Sequence, residues 1–142
     1  MADTKRTKLG VRPQPLVAVR DVAASGRFYE RLLGCESTHG DDSYRRLVWG
    51  NTFFMQLHAW DEEDHPNLTN REAAKPGHGV LLWFEVDDFD AAVERARALK
   101  PEIVEDVHVN PNSSNREIWL KDPDGYMVVL ASDEGERARG YP

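Results

Sequence analysis

The feature that most constrains this chain is that its pattern runs twice. An apolar run of strand composition at 14–20 is followed by Asp21 and by a stretch in which Val22, Phe28, Leu32 and Leu33 fall on one helical face. Asp21 stands where an N-cap belongs, Arg31 lies near the end, and Gly34 supplies the stop. Two strand-like runs come next, 44–49 and 52–60, separated by Gly50-Asn51, a good hairpin turn. After a polar stretch at 61–79 the pattern restarts. An apolar strand at 80–86 leads to Asp88 as a second N-cap, then to a helix at 89–99 carrying Ala91, Ala92, Ala96 and Leu99, then to strands at 103–109, 115–121 and 126–131. Asp122-Pro123-Asp124-Gly125 makes a tight turn before the last of these, because Pro and Gly supply its special dihedrals. Superposing Asp21 on Asp88 brings Val22 onto Phe89, Ala24 onto Ala91 and Leu32 onto Leu99. The repeat is one of structure more than of letters.

A strand–helix–three-strand unit covers one face of its sheet with its helix, and the other face needs a neighbour or a ligand. The expected fold class is therefore α+β, with two βαβββ repeats forming curved mixed sheets around a shared cavity. The repeats span 13–60 and 79–132 and are joined by loop 61–78, with a disordered arm at 1–12 and a polar tail at 133–142. At 142 residues this is a single domain, long enough to bury a core without disulfides or a structural metal. The 40% of hydrophobic and 30% of charged residues suit a globular chain and are too apolar for disorder.

Charge and cysteine content remove several function classes. Eighteen basic residues against twenty-five acidic ones leave a net charge of −7, which argues against nucleic acid and permits attraction of a cationic ligand. No apolar run approaches the ~20 residues of a membrane span, and the start Met-Ala-Asp-Thr-Lys-Arg lacks the apolar region of a secretory signal. Cys35 is the only cysteine, so there is neither an intrachain disulfide nor a thiolate cluster. The expectation is a reducing, cytoplasmic setting with no nucleic-acid or membrane partner.

Arg20-Asp21, Phe28-Tyr29 and Leu33-Gly34 around the first helix, Phe84-Glu85-Val86-Asp87-Asp88 before the second, and Asp122-Pro123-Asp124-Gly125-Tyr126 before the last strand occur in a telling order and spacing. Together they resemble the vicinal oxygen chelate superfamily, which contains glyoxalase I, extradiol dioxygenases, fosfomycin resistance proteins and bleomycin resistance proteins. The resemblance runs from about Gln14 to Ala131. It implies the paired-module fold and a homodimer. In metal-dependent members it also implies a divalent cation held by four side chains, from the first and last strand of each repeat. Carried onto this sequence, those positions are Gln14, Gln56, Leu81 and Val129. Leu and Val have no lone pair to donate, two neutral carboxamides bring no charge, and catalytic divalent sites take about three N, O or S ligands. The expectation is that no metal and no other cofactor belongs there.

A rebuilt site is the alternative. His58 lies two residues beyond Gln56 and Glu85 four beyond Leu81, each on the same strand face as the position it would replace. A metal-dependent glyoxalase- or dioxygenase-type enzyme would use these two. Four residues along a strand is about 13 Å, however, which carries Glu85 away from Gln14.

Strand parity names the remaining lining. Gln14, Leu16 and Ala18 share a face, as do Phe54, Gln56 and His58; Leu81, Trp83 and Glu85; and Met127 and Val129. Packing of Ile118 and Leu120 on a helix would turn Glu117 and Trp119 inward. The candidate ligand-binding set is then Gln14, Phe54, Gln56, His58, Trp83, Glu85, Glu117, Trp119, Met127 and Val129. Mostly apolar walls with a few polar groups are the usual make-up of a small-molecule pocket. Indole faces beside carboxylates suit a planar or cationic ligand.

The reading is a metal-free small-molecule binding protein, akin in site character to the bleomycin resistance branch, for instance one that sequesters an antibiotic or xenobiotic. A third reading is an acid–base enzyme with Glu85 or Glu117 as base. Against all of these stands plain packing: Trp83 and Trp119 as core filler, and Gln14 and Gln56 bonded to each other. No nucleophile constellation stands out, and Cys35 reads as a buried inert thiol.

Overall fold

The computed structural model describes residues 12–60, 68–69, 71–73, 75, 77–111 and 113–133. The expected arm up to residue 11, most of the 61–78 connection and the tail beyond 133 lie outside the described residues. What is described is a duplicated unit. The first comprises β1 (Leu16–Val19), α1 (Val22–Leu33), β2 (Glu36–Asp41), β3 (Tyr44–Trp49) and β4 (Thr52–Ala59). The second comprises β5 (Leu82–Glu85), α2 (Phe89–Ala98), β6 (Ile103–Val109), β7 (Arg116–Lys121) and β8 (Met127–Ala131). The sheets run β1-β4-β3-β2 and β5-β8-β7-β6. In each, the pair formed across the helix is parallel and the others are antiparallel. The α+β fold class of two βαβββ repeats is as expected.

Local chemistry sets the helix ends. Asp21 Oδ1 accepts the Ala24 amide at 2.9 Å, and Asp88 Oδ1 accepts that of Ala91 at 3.0 Å. Gly34 closes α1 at φ 73°, its N–H bonded to the Glu30 carbonyl at 2.9 Å. The 44–49 and 52–60 runs form the hairpin, with Gly50 at φ 60° as the first of two turn residues, the sign a II′ turn requires. β2 is the strand that the residue pattern does not announce. Glu-Ser-Thr-His-Gly-Asp has no apolar alternation. It is held instead by pairing with β3 and by Glu30, whose Oε2 accepts the Ser37 N–H at 2.9 Å and its hydroxyl at 2.7 Å.

Both helices pack on the same side of their sheets. Val22, Phe28, Tyr29, Leu32 and Leu33 of α1 meet Val17, Val19, Leu47, Met55 and Leu57; Phe89, Ala92, Val93 and Ala96 of α2 meet Leu82, Ile118, Leu120, Val128 and Leu130. All belong to one continuous core, so the modules are halves of one unit. Cys35 is buried beside them, and burial pushes its thiol up to about 11, which keeps it protonated and inert near neutral pH.

The Asp-Pro-Asp-Gly segment does more than turn the chain. Asp122 Oδ1 accepts the amides of Asp124 at 2.8 Å and Tyr126 at 2.9 Å, while its Oδ2 accepts the Tyr29 phenol at 2.8 Å. Asp124 takes the Arg20 amide at 2.8 Å, the Arg20 Nε at 2.9 Å and the Ser25 hydroxyl at 3.2 Å. The Tyr126 phenol donates to the Ala18 carbonyl at 2.8 Å, and Arg95 Nε donates to the Leu32 carbonyl at 3.0 Å. These bonds fasten the second module to β1 and α1 of the first. They leave the sheet faces opposite the helices available. No helix among the described residues is long and apolar enough to cross a membrane.

Candidate functional site

Because the strands alternate, burying one face against a helix dictates the other. In the first sheet Leu16, Gln56 and Arg46 form one cross-strand row and Ala18, His58 and Tyr44 the next. Tyr44 Oη donates to Gln56 Oε1 at 2.8 Å, and Gln56 Nε2 donates to the Gln14 carbonyl at 2.9 Å. Both ends of the Gln56 amide are thus committed to fastening the start of β1. Gln14 and Gln56 are indeed bonded, but through the Gln14 backbone; the Gln14 amide reaches the Phe53 carbonyl at 3.5 Å. Arg46 donates to Tyr44 Oη at 3.3 Å and lies 4.8 Å above the Phe53 ring. The His58 Nδ1 is 2.7 Å from the Ala59 carbonyl, and its ring meets Tyr44 edge-on at 6.0 Å.

In the second sheet one row is Trp83, Val129 and Trp119, and the next is Glu85, Ala131, Glu117 and His108. Glu117 is only 1% exposed. A buried carboxylate must be hydrogen-bonded, and this one is. Its Oε1 accepts the Trp119 indole N–H at 2.9 Å, and its Oε2 accepts the Asn110 amide at 2.8 Å. His108 Nε2 lies 3.5 Å from both Glu117 Oε1 and Glu105 Oε2. Parity put Glu117 and Trp119 on one face, and i,i+2 spacing was a usable signal for their bond. Asn110 and His108 were missed because β6 pairs with β7 through register shifts that no local pattern reveals. Tyr44 was missed for the same kind of reason: its role depends on the β3–β4 register.

Where the modules meet, the Phe54 and Phe84 rings contact edge-on at 6.0 Å, and a cleft opens on either side. One, of about 680 Å³, gathers Gln14, Phe53, Phe54 and Trp83. The other, of about 590 Å³, gathers Trp49, Phe54, Phe84, Glu85, Asp87 and Arg95. The ten predicted residues therefore divide. Gln14, Phe54 and Trp83 share the first cleft, and Glu85 joins Phe54 in the second. Gln56 and His58 sit on the face of the first sheet opposite its helix, while Glu117, Trp119, Met127 and Val129 sit on the corresponding face of the second, Glu117 and Val129 buried there.

The four positions at which the resemblance implies a cation do not fit one. Leu81 and Val129 offer no donor atom, Val129 is fully buried, and the Gln56 amide is engaged at both ends, its oxygen by the Tyr44 phenol and its NH2 by the Gln14 carbonyl. Among the described residues no three His, Cys, Asp or Glu side chains converge as a metal site.

Residues 12–130 match the family described as the glyoxalase/bleomycin resistance protein/dioxygenase superfamily. The chain belongs to that superfamily. Solved structures agree on the fold. A glyoxalase/bleomycin resistance protein/dioxygenase family enzyme from Burkholderia phytofirmans superposes with a TM-score of 0.69 at 19% identity, covering 84% of this chain and 95% of that one. A lactoylglutathione lyase from Agrobacterium tumefaciens gives 0.66 at 19% identity, with 89% and 96% covered. A fosfomycin resistance protein from Mesorhizobium loti gives 0.61 at 16% identity, with 87% and 92% covered. At such identities the likeness to each is one of architecture, and the chemistry of this glyoxalase-superfamily chain rests on its own side chains.

Proposed function

We propose that this superfamily member binds a small organic molecule without the help of a metal, sequestering an antibiotic or other xenobiotic rather than transforming it. The observation that carries the reading is that Tyr44 and Gln14 engage both ends of the Gln56 amide, beside a Leu and a Val at two of the other inherited positions. The aromatic cleft lined by Gln14, Phe54 and Trp83 supports it, since about 680 Å³ of mostly apolar wall with a few amides suits a drug-sized ligand. One solved relative in fold is named for fosfomycin resistance. Protein purified from medium containing zinc, nickel, iron and manganese should carry far less than one metal per chain, and Trp83→Ala should weaken a ligand found by thermal-shift screening while leaving the circular dichroism unchanged. Stoichiometric metal that disappears with His58→Ala would overturn the reading.

The same reading includes a homodimer. Val80, Leu81 and Trp83 are 45–49% exposed at and just before β5, the edge strand of its sheet, and exposed large apolar side chains that cluster mark interaction surfaces. The open face of the first sheet carries Arg46 and His58, that of the second Glu105, so a second copy can set opposite charges against each other over that patch. Sedimentation should give a dimer, and Trp83→Glu should shift it to monomer. A wild-type monomer at high micromolar concentration would rule the dimer out.

A further inference from the structure

We infer that the second inter-module cleft, the one beside Trp49, is a binding site for an organic cation with a flat apolar body. The cleft encloses about 590 Å³, within the range of small-molecule sites. Its walls are aromatic. The Phe54 and Phe84 rings meet edge-on at its floor, and Trp49, 58% exposed, stands over it at the end of β3 with its indole face unoccupied by any ring or cation among the described residues. An indole so exposed is costly to hydrate and is the preferred aromatic partner of an organic cation.

The charges in the cleft do not cancel. Asp88 is occupied in capping α2, and Arg95 has its Nε fixed on the Leu32 carbonyl at the end of α1. Glu85 and Asp87 line the same cleft, and neither has an ion-pair partner among the described residues. Three carboxylates, Glu85, Asp87 and Asp88, outnumber the one guanidinium of Arg95, and their net negative charge beside aromatic rings attracts a cation through both charge and ring quadrupole and repels an anion of the same shape. Trp49 ends β3, Glu85 ends β5, and Asp87 lies in the short connection between β5 and α2. This cleft adjoins the Gln14–Trp83 cleft across Thr52, Phe54 and Phe84, which line both, and it differs from it in carrying Trp49, Glu85 and Asp87.

The test titrates the whole protein with proflavine, a planar aromatic monocation, and with anilinonaphthalene sulfonate, an anion of comparable size. Proflavine should bind with quenching of tryptophan fluorescence and with an affinity that falls as salt is raised. Glu85→Gln combined with Asp87→Asn should weaken it roughly tenfold or more, as should Trp49→Ala, whereas Glu94→Gln on the exposed side of α2 should leave it unchanged. All four substituted side chains are exposed, so the fold is retained and loss of binding is not loss of structure. Equal affinity for the anion, or a proflavine affinity untouched by the double variant, overturns the inference. If Trp83→Ala abolishes binding and the double variant does not, the cation occupies the other cleft; the inference then fails while the metal-independent binding reading stands.

Discussion

Asp122→Ala should lower the unfolding free energy by about 3–5 kcal/mol, because it leaves the Tyr29 phenol and the Tyr126 and Asp124 amides without their acceptor, at about 1–3 kcal/mol for each buried group. For a chain of this size that corresponds to a melting temperature lower by about 10 °C or more. Urea denaturation followed by tryptophan fluorescence measures it, and a loss below about 1 kcal/mol would mean that the module junction does not depend on this carboxylate. Tyr29→Phe removes one donor and leaves Asp122 its two amides, so it should cost less. The pH dependence follows from burial. Burial, and then the neighbouring Asp122 charge, hold the Tyr29 phenol well above its ordinary value of 10.0. Its stabilisation is complete below that value and is lost as pH rises, since the unfolded chain ionises the phenol first. Wild-type stability should therefore decline between about pH 9 and pH 11, and the Tyr29→Phe curve should be flatter there. Asp122 is also raised, by burial, so it contributes most below the ordinary carboxylate range and loses that contribution as pH climbs through its raised value. Acid is thus not what loosens this junction.

Glu117→Ala should cost about 2–4 kcal/mol, for two donors and a histidine lose a common partner on the open face of the second sheet. Glu117→Gln should cost less than the alanine change but still about 1–3 kcal/mol, because a carboxamide accepts at one end only and sets its NH2 against either the Trp119 indole or the Asn110 amide. The near-ultraviolet circular dichroism of Trp119 should weaken in both, since the carboxylate is what fixes the indole orientation. A Glu117→Ala protein with wild-type stability and an unchanged tryptophan spectrum would show that the indole is held by packing alone.

The helices were legible because their ends are written in single residues. Asp21, Gly34 and Asp88 act on the backbone within a turn of themselves, so the chain alone identifies them. Face assignment was legible for a similar reason. Alternation is a property of the strand, and Val17, Leu47 and Leu57 turned one way oblige Leu16, Arg46 and Gln56 to turn the other. β2 was not legible, since an edge strand of polar residues owes its form to its neighbour rather than to its own pattern. Nor was the division of the candidate site. Parity places Gln14, Trp83 and Trp119 on comparable faces, but it says nothing about how far apart two sheets stand once their helices have packed.

The sequence by itself determined the duplicated unit, the capped helices, the inward and outward sides of the strands and the absence of metal donors at Leu81 and Val129, because each of these depends on a residue and its near neighbours. Only the tertiary structure decided that Asp122 and Asp124 join the modules, that Tyr44 and Gln14 engage both ends of the Gln56 amide, and that Trp49 and Glu85 share a cleft. Those are contacts between residues from 12 to 104 positions apart, set by the register of strands and the meeting of two modules, and no local preference encodes them.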